Sequence, residues 1–398
     1  MFDAFRRTLF VSPFLIALAA PLLSPTVTRA VENCGNCVND DANPLVDRKD
    51  PSCTPRADGN DLGIGDESEG KLLTVCAKAT QKAGAKFVLG AMKQFHKCME
   101  ASSACIQLKP GDQACKAKAT AICAKALGSF DATALKLQNA VIAKCGDDDA
   151  AAVANLLDPT GLGFASEQAP CQSVDGGPGS FTSTADIGQC IALQHFCRVQ
   201  HLVAIANPRA REFLTFAGRP TDEFPCIEDI DGIDGGGATV DPGHVKKLLK
   251  CTKTIDKLSL TLVGSGAKVV QNCLNAGIAC QQTKPQDPNC VPKAKAKCAA
   301  GFGKLRDPQK GTAAKLAAKF LKACRVQENL DIGDIVQGYG LGLSAQVGRC
   351  TALGYGSDPA GCFGAQAFCE GAQIIERQIP RARELADFLE VNLSGLVD

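Results

Sequence analysis

The sequence predicts an all-α protein made of two tandem, disulfide-stapled helical-hairpin modules, an internal duplication joined by acidic linkers. Three observations carry that prediction. The first is a repeat of cysteine intervals: Cys76, Cys98, Cys105, Cys115 and Cys123 are separated by 22, 7, 10 and 8 residues, and so are Cys251, Cys273, Cys280, Cys290 and Cys298. Self-similarity at a fixed offset is the signature of repeated architecture. The second is composition: the stretches between these cysteines are rich in Ala and Lys, both good helix formers, with apolar or small residues at helical spacing. The third is that all 22 cysteines lie after residue 30, behind a segment that reads as an export signal. An even and high cysteine count in an exported chain predicts disulfides.

In chain order, residues 1–30 carry Arg6 and Arg7, an apolar run from Leu9 to Leu23 broken by Pro13 and Pro21, and small residues ending at Ala30. This is the layout of a cleaved signal peptide. The run is shorter than the ~20 residues of a spanning helix, and no cysteine follows closely enough for a lipid anchor. The expectation is a secreted or periplasmic chain with no transmembrane segment in its mature part. Residues 31–70 then form an acidic, cysteine-containing segment, 71–218 the first module, 219–245 an acidic Gly-rich linker and 246–398 the second module.

Each module opens on a helix. In "CAKATQKAGAKFVLGAMKQFHKC" the residues Ala79, Ala83, Phe87, Ala91 and Phe95 make an i, i+4 stripe, and the second copy places Leu262 and Val270 where the first has Phe87 and Phe95. A second helix is expected from about Cys115 to Cys145, and again from about Val291 to Cys324, each after a loop containing Gly or Pro. Twenty-two residues is close to six turns, so Cys76 and Cys98 share a face at opposite ends of a helix ~33 Å long, as do Cys123 and Cys145. An antiparallel hairpin with that spacing invites Cys76 to pair with Cys145, Cys98 with Cys123 and Cys105 with Cys115. The second module's counterparts are Cys251 with Cys324, Cys273 with Cys298 and Cys280 with Cys290. Cys298 and Cys324 stand 26 apart, so the outer bridge there requires a bulge or a shifted register. A third helix, "TADIGQCIALQHFCRVQHLVAIA", ends where Asn207 precedes Pro208. Cys53 to Cys197 and Cys226 to Cys369 assign ten cysteines to each module, five bridges if each closes on itself. That leaves Cys34 and Cys37 to pair with each other.

The "CAKATQKAGAKF" opening, the Cys-x21-Cys helices and the "TADIGQC" segment resemble a set of uncharacterised cysteine-rich helical repeats in bacterial secreted proteins. The likeness covers about residues 71–215 and, more loosely, 247–390. It implies a fold and a location and carries no activity.

Several residues are candidates for function. Counting Asn39 as position 1 places Asp41, Asn43, Leu45, Asp47 and Asp50 at 3, 5, 7, 9 and 12, the oxygen-ligand rhythm of a calcium loop. Pro44 stands where such a loop needs Gly, and Asp50 replaces the longer Glu. The alternative is a solvated acidic linker. This stretch also resembles Asp-rich motifs near the start of bacterial secreted proteins that are suspected of binding metal. Asp229, Asp231 and Asp234 have no complete loop pattern and read as part of a flexible connector. Cys34 and Cys37 form a Cys-x-x-Cys, but a redox pair of the thioredoxin type opens a helix after a strand, and here an Asp-rich stretch follows. Haem attachment would need a His after Cys37, and Val38 is there.

No histidine persists between the copies: His96 aligns with Gln271, His195 with Ala367 and His201 with Gln373, while His244 falls in the linker. No Ser, Cys or metal-His catalytic set is visible. Tryptophan is absent and only two tyrosines are present, so the aromatic platforms that bind sugars or single strands are scarce. Charge, by contrast, is segregated. Residues 71–145 contain 12 Lys against three acids, a balance of +9, and residues 247–324 contain 15 Lys and Arg against three acids, a balance of +12, in a chain whose net charge is +1. Such hairpins suit an anionic polymer of the cell envelope or the medium, without specifying a nucleic acid. The plain alternative is that lysine solvates helices with a small core. The twin "PRARE" motifs place Arg209, Arg211, Arg381 and Arg383 in a first helical turn, against the dipole, so they are expected to meet an anion or internal carboxylates.

The resulting expectation is a structural or binding module that is not an enzyme, needs no cofactor beyond calcium at most, and has an anionic glycan or envelope component as partner. Two alternatives are a thiol-disulfide oxidoreductase using Cys34 and Cys37 and a calcium-stabilised adhesion protein.

Overall fold

The structure is a computed structural model that describes residues 57, 59–146, 150–174, 176–219, 221–227, 242–324, 330, 334–335, 337–344 and 359–393. The fold is all-α, and no strand occurs among the described residues.

Helix α1, Glu67–Leu108, is 42 residues long, or ~63 Å at 1.5 Å per residue. Asp66 starts it by accepting hydrogen bonds from the backbone N–H groups of Ser68 and Glu69, and Glu67 and Glu69 add negative charge at the positive end of the helix dipole. It stops at Lys109-Pro110-Gly111, where Gly111 takes a left-handed φ of 82°. Asp112 then caps α2, Gln113–Leu127, and Cys105–Cys115 closes the corner. Helix α3, Phe130–Cys145, completes the hairpin, with bridges Cys98–Cys123 and Cys76–Cys145.

The single second helix expected from about Cys115 to Cys145 is therefore two helices. Ser129 makes the break: its hydroxyl donates to the Ala126 carbonyl and accepts from the Gln94 amide of α1.

Short helices α4, Ala150–Leu157, and α5, Gln168–Gln172, lead to α6, Thr184–Ala206, and α7, Ala210–Phe216. A reciprocal capping box between Ser183 and Asp186 starts α6.

Among the described residues the second half has the same order of long helix, two-helix return limb and final helix pair, without elements matching α4 and α5. Helix α8, Pro242–Thr283, is again 42 residues long, and it is followed by α9, Cys290–Arg306, α10, Thr312–Ala323, α11, Pro359–Gln378, and α12, Ala382–Phe388. The bridges are Cys280–Cys290, Cys273–Cys298 and Cys251–Cys324. Between Cys298 and Cys324, α9 runs one turn further and the corner at 307–311 has five residues where 128–129 has two, while α10 is three residues shorter than α3 before its cysteine, which accounts for the four extra residues. There Pro308 ends the helix, and Asp307 accepts from the Gln309 and Lys310 N–H groups. No shift of register is needed.

The two long helices lie antiparallel against each other. Asn275 donates to Gln81 at 2.8 Å, Lys253 pairs with Glu100 at 3.0 Å, and a Cβ on Gly264 would lie 3.2 Å from the Leu89 side chain. Leu89 and Gly264 occupy the position that the cysteine intervals equate, so the halves meet at matching places. Helices α6 and α11 meet likewise, through a buried ion pair between Arg198 and Glu370 at 2.8 Å.

Helix α1 consequently buries more than the apolar stripe. Ala77, Val88, Met92 and Met99 are fully enclosed, as are the polar Thr80 and Gln81. Phe95, Phe130, Phe196 and Phe224 form an aromatic cluster with centroids 5.0–6.4 Å apart. The second half fills the position of Phe95 with Val270, also fully buried.

Cys197 is bonded to Cys226, which corrects the expectation that each ten-cysteine set closes on itself. The physical reason is that residues 221–227 pack back on the first half: Phe224 joins the aromatic cluster, and the Cys226 N–H donates to Gln200 at 2.8 Å. Cys171–Cys190 is a further bridge of the first half. His244 lies in the first turns of α8 rather than in a linker, 3.0 Å from Asp334.

Candidate functional site

The twin "PRARE" arginines are the first test of the site reading. Arg209 is buried, and its guanidinium meets Glu212 through two bonds of 2.7 Å while donating to the Tyr339 and Gly340 carbonyls at 2.9 and 2.8 Å. Arg381 is equally buried. It forks onto Glu384, donates to the Thr160 and Gly161 carbonyls at 2.6 and 3.0 Å, and reaches the Leu62 carbonyl at 2.9 Å. Glu384 in turn accepts from the N–H groups of Gly59 and Asp61.

The two arginines are thus exchanged between halves: the first half's Arg209 holds the turn at 339–340, and the second half's Arg381 holds the turn at 160–161. Gln107 and Gln282, also at matching positions, donate to the same turns at Tyr339 and Thr160. An anion site at Arg209 and Arg381 is therefore corrected to a structural one, because Glu and carbonyl oxygens occupy their donors. Arg211 and Arg383 are half-buried and have partners within the chain.

Polar residues are concentrated where the halves meet. His195 is fully buried, with its Nε2 2.6 Å from the Gln378 amide, and burial lowers its pKa to about 3, helped by Arg377 and Arg198 nearby. Only glycine fits beside this pair: a Cβ on Gly84 of α1 would lie 2.7 Å from His195 Nε2. Asp256 of α8 is buried against His96 of α1 at 3.5 Å and accepts from Asn207 at 2.8 Å. Burial pushes the Asp256 carboxyl up to about 8 and lowers His96 to about 4. Both groups are neutral near pH 7, as expected where a charge would lack solvent. A sequence reading misses this contact, because His96, Asp256 and Asn207 carry no pattern that relates them.

Cys197, Cys226 and His201 bring potential metal-ligand atoms within 4.8 Å of one another. With Cys197 and Cys226 joined, the sulfurs are not thiolates, and the set does not fit a metal. Cys34, Cys37, the calcium-loop candidates Asn39 to Asp50, and Asp229, Asp231 and Asp234 lie outside the described residues.

The lysines remain outward. Lys71, Lys78, Lys82, Lys86, Lys93 and Lys97 fall within an arc of about 100° on α1, and Lys246, Lys250, Lys253, Lys257 and Lys268 make a matching stripe on α8; all are exposed. Among the described residues, Lys71 pairs with Glu67 and Lys253 with Glu100, while the other members of these stripes have no carboxylate partner. The stripes approach each other where α1 crosses α8, since Lys93 and Lys257 line one groove. No helix among the described residues is long and apolar enough to cross a membrane.

No protein-family model, curated protein or solved structure matches the chain. The geometry alone therefore carries the functional reading.

Proposed function

We propose that the protein is an exported, non-enzymatic binding module that holds an anionic polymer of the envelope or the medium along the lysine stripes of α1 and α8. The observation that carries this reading is the run of exposed lysines on one side of each long helix, of which Lys71 and Lys253 alone among the described stripe members meet a carboxylate. Solvation alone would be served as well by mixed charge. A one-sided row of cations on a disulfide-braced rod instead presents a repeated charge at fixed spacing, and a polyanion gains by releasing its counterions there.

The test is fluorescence anisotropy of a labelled polyuronate and of a labelled single-stranded DNA, titrated with the mature chain over a range of salt. The expected result is binding that weakens steadily with salt. The variant Lys82→Glu/Lys86→Glu/Lys93→Glu should lose roughly tenfold or more in affinity at low ionic strength and show a shallower salt slope by about two to three. Equal affinity of this variant and the parent chain would reject the reading. The uronate and DNA arms show whether carboxylate glycans are favoured over phosphate polymers.

A further inference from the structure

The groove at the crossing of α1, α8 and α10 has a chemistry of its own. Its volume is about 470 Å³, within the ~300–1,000 Å³ range of pockets that hold one small ligand. The half-buried Leu260 and the edges of the buried Leu258 and Leu316 form its apolar floor, and Lys93, Lys257 and Lys319 stand around it, with no acidic residue in the lining. All three lysines are exposed and lack a carboxylate partner among the described residues. Asp256, next to Lys257 in sequence, is buried against His96 and Asn207 and does not line the groove.

The groove also belongs to one half only. The cysteine intervals equate Leu258 and Leu260 with Ala83 and Ala85, and Lys319 with Ala140, so the corresponding place in the first half keeps two of the lysines (Lys82 and, from the opposite helix, Lys268) and one leucine (Leu137, matching Leu316) but lacks the other two leucines and the third cation. A polymer site needs the lysines and has no use for the leucines. A second copy of this chain seated face to face would bring six ammonium groups together, which is repulsive.

We infer that this groove binds a single-chain fatty carboxylate, its tail on Leu258, Leu260 and Leu316 and its head group among Lys93, Lys257 and Lys319. An apolar contact surface with a few oriented cations is what recognition of an anionic amphiphile requires. The inference goes beyond polymer binding and does not depend on it.

The experiment is isothermal titration of the mature chain with laurate and with dodecyltrimethylammonium, which share a tail length and differ in charge, each below its micelle concentration. One laurate per chain is expected, at least tenfold tighter than the cation. Lys257→Glu should weaken laurate tenfold or more and narrow or reverse the preference. Thr261→Trp, which fills the groove from an exposed position of α8, should remove binding of both amphiphiles while leaving polyanion binding and helix content as in the parent. Lys319→Glu on α10 is the second charge variant should either of the others misfold. Equal affinity for the two head groups, no laurate binding, or laurate binding untouched by these variants would each overturn the inference. Loss of polyanion binding with laurate binding intact would overturn only the polymer reading.

Discussion

At the residue scale the buried polar groups between the halves govern the response to pH. Asp256 has a folded pKa of about 8 against 3.8, so the stability it contributes is present below the unfolded value and is lost as pH rises towards 8. His96 and His195, lowered to about 4 and 3 from 6.5, act in the opposite sense: their contribution is complete above 6.5 and is lost as pH falls. Below pH 6.5 two histidines outweigh one aspartate, and above it the aspartate acts alone. Stability should therefore peak near pH 6.5, with a slope of about 1.2 kcal/mol per pH unit on the acid side and about 0.8 on the alkaline side. Urea unfolding between pH 5 and 8.5 measures this, and Asp256→Asn should flatten the decline above pH 6.5 and steepen the acid side, where the aspartate no longer opposes the two histidines. A decline of unchanged steepness in that variant would assign the alkaline loss to another group. The arginine forks belong to the same scale. Arg381 is stable in the interior because Glu384 neutralises it and backbone carbonyls take its remaining donors, and either partner alone would leave a buried, uncompensated charge.

At the scale of elements, the hairpins explain how a chain with few aromatics keeps helices ~63 Å long. Each long helix is clamped to its return limb at both ends and at the corner, by bridges spanning 69, 25 and 10 residues in the first half and 73, 25 and 10 in the second. These bridges are nested, so each shortens the loop that the others close. Cys197–Cys226 is different: it spans 29 residues outside the hairpins and ties α6 to the segment that carries Phe224. Replacing both cysteines by serine should cost about 3.6 kcal/mol by the loop-entropy estimate, read as a lower urea midpoint, with helix content unchanged because α6 and the hairpins do not depend on it. A loss of helicity in the double-serine variant would show that the bridge organises α6 rather than tethering its far end.

For the whole molecule, the decisive feature is the exchange of arms. Residues 59–62 and 160–161 of the first half are held by Arg381 and Glu384 of the second, residues 339–340 of the second by Arg209 of the first, and α1 lies along α8. Two modules joined only by a linker would separate when it is cut. Here, proteolysis within 228–241 should leave the pieces eluting together on size exclusion, at the volume of the uncut chain. Either half expressed alone should be less helical and should bind a hydrophobic dye, because α1 or α8 would expose a face that the other covers. Independent elution of the cut pieces would mean that the arms contribute little to association.

The sequence by itself determined the helical class, the third helix from residue 184 to residue 206, and the two hairpins with their nested cysteines. These features are set by spacings within about 70 residues, where helical periodicity and chain reach fix which side chains can meet. It did not show the break at Ser129, which depends on Gln94 reaching across the hairpin. It left Arg209 and Arg381 between an anion and internal carboxylates, because a cation in a first turn looks the same in sequence whether it faces solvent or a turn from the other half. Gln81, His96 and Asp256 look like polar-face residues for the same reason, and the groove shows in sequence only as leucine at 258 and 260 where the first half has Ala83 and Ala85. Tertiary structure decided all of these, since burial belongs to the pairing of α1 with α8 and of α6 with α11. Those pairings join residues roughly 150 to 220 positions apart, a relation that no local pattern encodes.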